Sequence, residues 1–284
     1  MSILSQFFAG RRLVSLSSGK AAIRLSLAIL ALVTGTTAHA EQKPLKIGIR
    51  GGVGEQIWEV AADVARQNGL PVELVVITGT ASPNEALNNG DLDANSFQHT
   101  PYLEDQIKQR GYRLVSVGDT IFAPLAFYSK KVTSLDKLGD GAKIGIPNDP
   151  SNETRALVLL QNRGLIRLRD RFDPAKDVAS LDDITSNPKK FEFVESTSVV
   201  LARSLEDVDA AAIVTSFASQ AGLHAARDGI ALEGKENNPF VNIITVREQD
   251  KDAPWVPTLV KAYQSPQVRA FIEKEYQGTI IPAF

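Results

Sequence analysis

The sequence predicts an α/β protein built as two lobes, each an α/β unit, joined by extended hinge strands around a cleft. Three observations predict it. Strand-like and helix-like segments alternate from Pro44 to Val117 and again from Lys143 to Val214. Val72 to Thr78 (V-E-L-V-V-I-T) is a near-continuous apolar run of the kind that is buried on both faces of a parallel sheet. A long extended stretch, Asp119 to Lys131, separates the two series. The 284 residues fit two domains of roughly 150 residues each.

In chain order, Pro44 to Arg50 predicts a strand, and Gly51, Gly52 and Gly54 the turn after it. Glu55 to Asn68 predicts a helix with Ile57, Ala61 and Val64 on its inner face and Gly69 as its stop. After the strand Val72 to Thr78 come a short helix at Pro83 to Asn89, a strand at Leu92 to Gln98, a helix at Pro101 to Arg110 and a strand at Arg113 to Val117, giving a first unit of parallel type. The second unit runs through the strand Lys143 to Pro147, the helix Thr154 to Arg163, the strand Phe191 to Val194, a helix near Val199 to Leu205 and the strand Ala210 to Val214. Asp170 to Lys190, polar and rich in Asp and Pro, predicts a surface loop around a short helix. Val241 to Val246 is a further strand, and Trp255 to Tyr263 and Pro266 to Tyr276 are the last helices. The expected division is residues 1–40 as a leader, 41–125 with 241–284 as one lobe, and 126–240 as the other.

The leader carries Arg11, Arg12, Lys20 and Arg24 with no acidic residue, then a short apolar core from Leu25 to Gly35, then Ala38-His39-Ala40 as a small-x-small cleavage signature. That core is shorter than the roughly 20 residues of a membrane span. Removal of residues 1–40 leaves 27 Lys and Arg against 33 Asp and Glu, an acidic balance that argues against nucleic acid as a partner. The absence of cysteine excludes a disulfide framework and a thiolate site, and leads to the expectation of a soluble, unlipidated periplasmic protein after cleavage near Ala40. Two remaining histidines, His99 and His224, are too far apart in sequence for a zinc motif, so neither metal nor cofactor is expected.

One segment points to binding. N-D-P-S-N-E-T-R, Asn148 to Arg155, places an arginine in the opening turn of a helix that follows a buried strand, a natural seat for a carboxylate. The plainer alternative for Arg155 is a surface pair with Asp149 or Glu153. Phe97, His99 and Tyr102 have plainer alternatives as packing residues, and Asn242 as a strand-start residue that satisfies backbone. No G-x-S-x-G elbow, phosphate loop or metal set is present, so an enzyme is not expected.

The motifs P-N-E-A-L-N-N-G-D-L-D-A-N-S-F-Q-H-T-P-Y-L (Pro83 to Leu103), I-P-N-D-P-S-N-E-T-R-A-L (Ile146 to Leu157) and the closing G-T-I-I-P-A-F resemble the methionine-binding, NlpA-type periplasmic receptors of bacterial ABC importers. The resemblance implies the periplasmic-binding-protein fold, a monomer that closes on a small amino acid or related carboxylate, and delivery to an ABC permease with its ATPase. It implies a ligand site in which Phe97, His99 and Tyr102 form an aromatic cluster, Asn152 and Arg155 give polar contacts from the second lobe, and Asn242 meets the ligand's polar end. Two positions depart from the pattern: Thr80 stands where the family has tyrosine, and Val214 where it has asparagine. Loss of that amide would cost a ligand ammonium roughly 1 to 3 kcal/mol, which opens the alternative of a dipeptide, sulfur compound or organic acid, unless Thr215 or Ser216 compensates.

Overall fold

Short apolar strands bounded by glycine and capping residues assemble into two sheets, and the chain passes between the sheets twice. The computed structural model describes residues 43–173, 176–236 and 238–284, so the leader and its cleavage site lie outside the described residues. In chain order the elements are β1 (Leu45–Ile49), α1 (Val53–Gln67), β2 (Val72–Val76), α2 (Pro83–Asn89), β3 (Ala94–Ser96), α3 (Thr100–Arg110), β4 (Leu114–Phe122), β5 (Ala126–Tyr128), β6 (Lys143–Pro147), α4 (Pro150–Asn162), β7 (Arg167–Leu168), β8 (Ile184–Ser186) and β9 (Glu192–Ser196). They continue as α5 (Ser198–Arg203), β10 (Ala210–Ile213), α6 (Thr215–Gln220), α7 (Ala225–Asp228), β11 (Gly229–Leu232), β12 (Val241–Arg247), α8 (Val256–Tyr263), α9 (Pro266–Tyr276) and β13 (Ile281–Pro282).

The first sheet has the order β13-β4-β12-β3-β1-β2 and the second β11-β5-β10-β6-β9. β1, β2 and β3 are parallel, but β12 runs antiparallel between β3 and β4, so the first sheet is mixed rather than parallel. The reason is the route of the chain: β12 arrives directly from the other sheet and needs no crossover helix. The second sheet is likewise parallel across β9, β6 and β10, with β5 antiparallel at its other side. Within Asp170 to Lys190, expected as loop, β8 pairs with β7.

Each sheet has its own core. Ile47, Ile49, Ile244 and Val246 pack on Ile57, Trp58, Ala61, Leu259 and Ile272 of the covering helices. In the second sheet Phe127, Ile144, Ile146 and Ala212 pack on Leu157 and Leu160 of α4, while Ala211 and Ile213 face Leu201 and Leu205 on the opposite side. Fully burying one such side chain contributes about 1.5 to 3 kcal/mol. Polar residues at the helix starts fix where each helix begins: Ser82, His99, Asp149 and Ser265 each accept a backbone N–H of the following turn.

The crossings lie between Phe122 and Ala126 and between Leu232 and Val241, side by side, with Glu233 N–H donating to Leu125 O at 3.0 Å. The two halves meet across the cleft, α3 against α4 and α1 against α6. Strand ends of both sheets therefore open on one space.

Candidate functional site

That space is a cavity of about 250 Å³. Phe97, His99 and Tyr102, carried by the β3-to-α3 connection, form one wall; Asn152 and Arg155 of α4 form another; Asn242 enters at the start of β12. Thr80 lies exposed at the rim, and Val214 lines it immediately before α6. All eight positions singled out in the sequence border the same enclosure.

The arrangement at Arg155 differs from the sequence expectation. α4 starts at Pro150, one turn earlier than predicted, so Arg155 lies in its second turn, and the carboxylate of Asp149 already occupies the helix start by accepting Asn152 N–H at 3.0 Å. Arg155 is 3% exposed and pairs neither with Asp149 nor with Glu153. Its Nε donates to both carboxylate oxygens of Glu233 at 3.1 Å, and its Nη2 donates to Glu233 Oε2 at 2.5 Å and to Ala123 O at 3.0 Å. Nη1 donates to Asn152 Oδ1 at 3.1 Å, and the Phe240 ring covers the guanidinium at 5.0 Å. Of its five N–H groups one remains.

Asn152 is held in turn, its Nδ2 donating to Asp149 and its Oδ1 lying 3.3 Å from His99 Nε2. His99 Nδ1 accepts Tyr102 N–H at 3.2 Å, which puts the proton of the neutral ring on Nε2, donating to Asn152. Burial, and then the charge of Arg155, hold His99 down to about 3. Tyr102 is pushed up to about 12, by burial and then by Asp149, so its hydroxyl stays protonated. The rings of Phe97 and Tyr102 meet edge to face at 6.1 Å, and His99 meets Phe240 at 5.0 Å. The Asn242 side chain has no hydrogen bond among the described residues. Thr215 Oγ1 donates to Pro124 O at 2.6 Å, which leaves its lone pairs to accept, and Ser216 lines the cavity beside it.

Sequence reasoning missed the layer behind these walls. Asn84 is fully buried and bonded through its side chain to Gln98 and Asn95, and Gln98 also donates to Thr245. This amide cluster fixes the strand end that carries Phe97 and His99. Arg50, at the end of β1, was also missed: it is 7% exposed and lines the cavity. Its Nη1 donates to Ile77 O and Gly79 O at 3.0 and 3.2 Å and its Nη2 to Ala81 O at 2.9 Å. A charged residue at the end of the strand, immediately before Gly51-Gly52, is the signal that could have found it. Chemically the enclosure offers donors, apolar surface and a neutral histidine with both nitrogens engaged. Among the described residues no cluster of three or more His, Asp or Glu is suited to a metal ion.

Two opposed pH dependences follow, one from His99 in this wall and one from Glu153 on α4. The folded-state value of His99 lies below its ordinary 6.5, so its contribution to stability is complete above about pH 6.5 and is lost as pH falls toward about 3. Glu153 is opposite: burial, then Glu195, raise it from 4.5 to about 7, so its contribution is complete below about pH 4.5 and is lost as pH rises through 7. Relative to the native chain, His99→Gln should therefore fare better at about pH 5 than at about pH 7, and Glu153→Gln the reverse. Urea unfolding of the three proteins at both values measures this; shifts of the same sign in both variants would refute it.

The comparisons with known proteins agree on one group. A family model described as NlpA lipoprotein matches residues 45–284. The D-methionine-binding lipoprotein MetQ of Escherichia coli K12 is 46% identical over 261 residues, covering 91% of this chain and 95% of that protein. Outer membrane lipoprotein 2 of Mannheimia haemolytica is 44% identical over 248 residues, covering 87% and 88%. Among solved structures, a nutrient binding protein from Burkholderia cenocepacia bound to methionine is 47% identical with a TM-score of 0.80, covering 84% of this chain and 100% of that one.

These relatives correct the expectation of a soluble, unlipidated protein, since the family and both curated relatives are named lipoproteins. The expectation rested on one missing residue type, the cysteine that the chain lacks, and the leader lies outside the described residues. Among the described residues no helix is long and apolar enough to cross a membrane.

Proposed function

Because the chain belongs to the NlpA lipoprotein family, we propose that it is the solute receptor of an ABC importer and captures methionine, or a closely related amino acid or carboxylate, between its lobes. The observation that carries this reading is the cavity itself: about 250 Å³, bordered by side chains of both sheets and walled by half-buried aromatic rings, it suits a molecule of amino-acid size. The lobes are taken as residues 41–125 with 241–284, and 126–240.

In this reading Phe97 and Tyr102 pack the ligand's tail, and His99, Asn152 and Asn242 meet its polar end. Arg155 adds the one N–H that Glu233, Ala123 and Asn152 leave over. Binding draws the lobes together by hinge motion at the paired crossings, and the closed form is what a permease with its ATPase recognises. The receptor acts as a monomer, needs no cofactor and releases its ligand unchanged, without enzymatic turnover.

The test is unfolding with and without methionine. A ligand at a hundredfold excess over Kd should raise stability by about 2.7 kcal/mol, and Phe97→Ala should diminish that gain by removing apolar contact. Absence of stabilisation by methionine and by a panel of amino acids, dipeptides and small organic acids would defeat the proposal.

A further inference from the structure

Two guanidiniums border the cavity, and only one has its charge cancelled. Arg155 is neutralised by Glu233. No carboxylate among the described residues pairs with Arg50, which is nevertheless 93% buried by its 7% exposure. Its three bonds to the carbonyls of Ile77, Gly79 and Ala81 satisfy donors without cancelling charge. Its flat faces lie 5.6 Å from Phe97 on one lobe and 5.3 Å from Phe217 on the other, an attraction that offsets only part of the desolvation. Burial, opposed by Tyr102, lowers its proton affinity from the ordinary value.

The hydrogen bonds point the same way. Arg50 Nε is buried and has no acceptor, and so is Trp58 Nε1; both residues line the cavity. Unbonded buried donors are uncommon and call for an acceptor.

We infer that Arg50 seats the ligand's anionic group, with Trp58 as a second donor, and that this receptor selects small carboxylates with a short apolar tail over their uncharged amides. The inference rests on the receptor reading above and specifies the chemistry that the site demands. Closure of the lobes brings Phe217 over Arg50, so the lobes shut around a charge that the ligand neutralises.

The experiment is calorimetric titration of the native chain, Arg50→Lys and Arg50→Met with three probes: methionine, methionine lacking its amino group, and methioninamide, which lacks the carboxylate. The native chain should bind both acids at least about tenfold more tightly than the amide, as a charge-assisted hydrogen bond demands. Arg50→Met should bring acid and amide close together, with Arg50→Lys between. An acid-to-amide ratio unchanged in Arg50→Met, or equal binding of acid and amide by the native chain, would overturn the inference while leaving the receptor reading intact. Failure of the native chain to bind any of the three would remove that reading and this inference with it. The native comparison varies only the ligand, so it decides the matter even where Arg50→Met folds poorly.

Discussion

Glu233→Ala is expected to destabilise the protein by about 3 kcal/mol, the scale of a buried cation stripped of its partner. The carboxylate meets Arg155 through three contacts of 3.1, 3.1 and 2.5 Å, and its Oε2 also accepts Leu125 N–H at 3.0 Å. Removal leaves a guanidinium that is 3% exposed with Asn152 and the Ala123 carbonyl as its remaining bonded partners. It also frees Leu125 N–H in the first crossing, so the loss falls on both segments that join the sheets. Adding Arg155→Met to Glu233→Ala should recover a large part of the loss, because an apolar pair in place of a buried ion pair is often neutral. Urea unfolding of the single and double variants measures both effects. A Glu233→Ala protein within about 0.5 kcal/mol of native, the range of ordinary surface changes, would show that the pair does not hold the crossings.

How much of this was legible in the sequence depended on the range of the interaction. α9 spans the predicted Pro266 to Tyr276 because its signals are local: Ser265 caps Val268 N–H and proline takes the first turn. α4 begins earlier than the expected Thr154 because Asp149 caps it and Pro150 takes its first turn. The pairing of β8 with β7 was hidden because both strands are short and their partners lie across a polar loop. The mixed order of the first sheet was hidden for a similar reason, since nothing near Val241 announces that its strand will enter between β3 and β4.

Site residues followed the same rule. The positions named from the motifs border one cavity, but the chemistry at each was set by partners far along the chain. Arg155 meets Glu233 78 residues away, and Gln98 meets Thr245 at a separation of 147. A helix-start arginine gives no sequence signal that its charge is already answered, and Arg50 gives none that its charge is not.

Gly52→Ala should weaken ligand binding by about tenfold or more, and its cause is separable into backbone and contact parts. Gly52 caps α1 at φ 79° and ψ −129°, a conformation that costs a residue with a Cβ about 1 to 3 kcal/mol. That strain lies within the first lobe and should appear as lost stability with or without ligand. A Cβ at this position would also come within 2.3 Å of Ser219 Oγ and 3.0 Å of Ser219 Cβ, on α6 of the other lobe. Rotation of the serine relieves the first contact and not the second, so α1 and α6 must part, and the arrangement in which Phe217 lies over Arg50 becomes harder to form. Adding Ser219→Gly to Gly52→Ala should restore affinity while leaving the backbone strain in place. Titration and unfolding of the two variants distinguish the parts, and a Gly52→Ala protein that binds as tightly as the native chain would mean that the α1–α6 contact takes no part in closure.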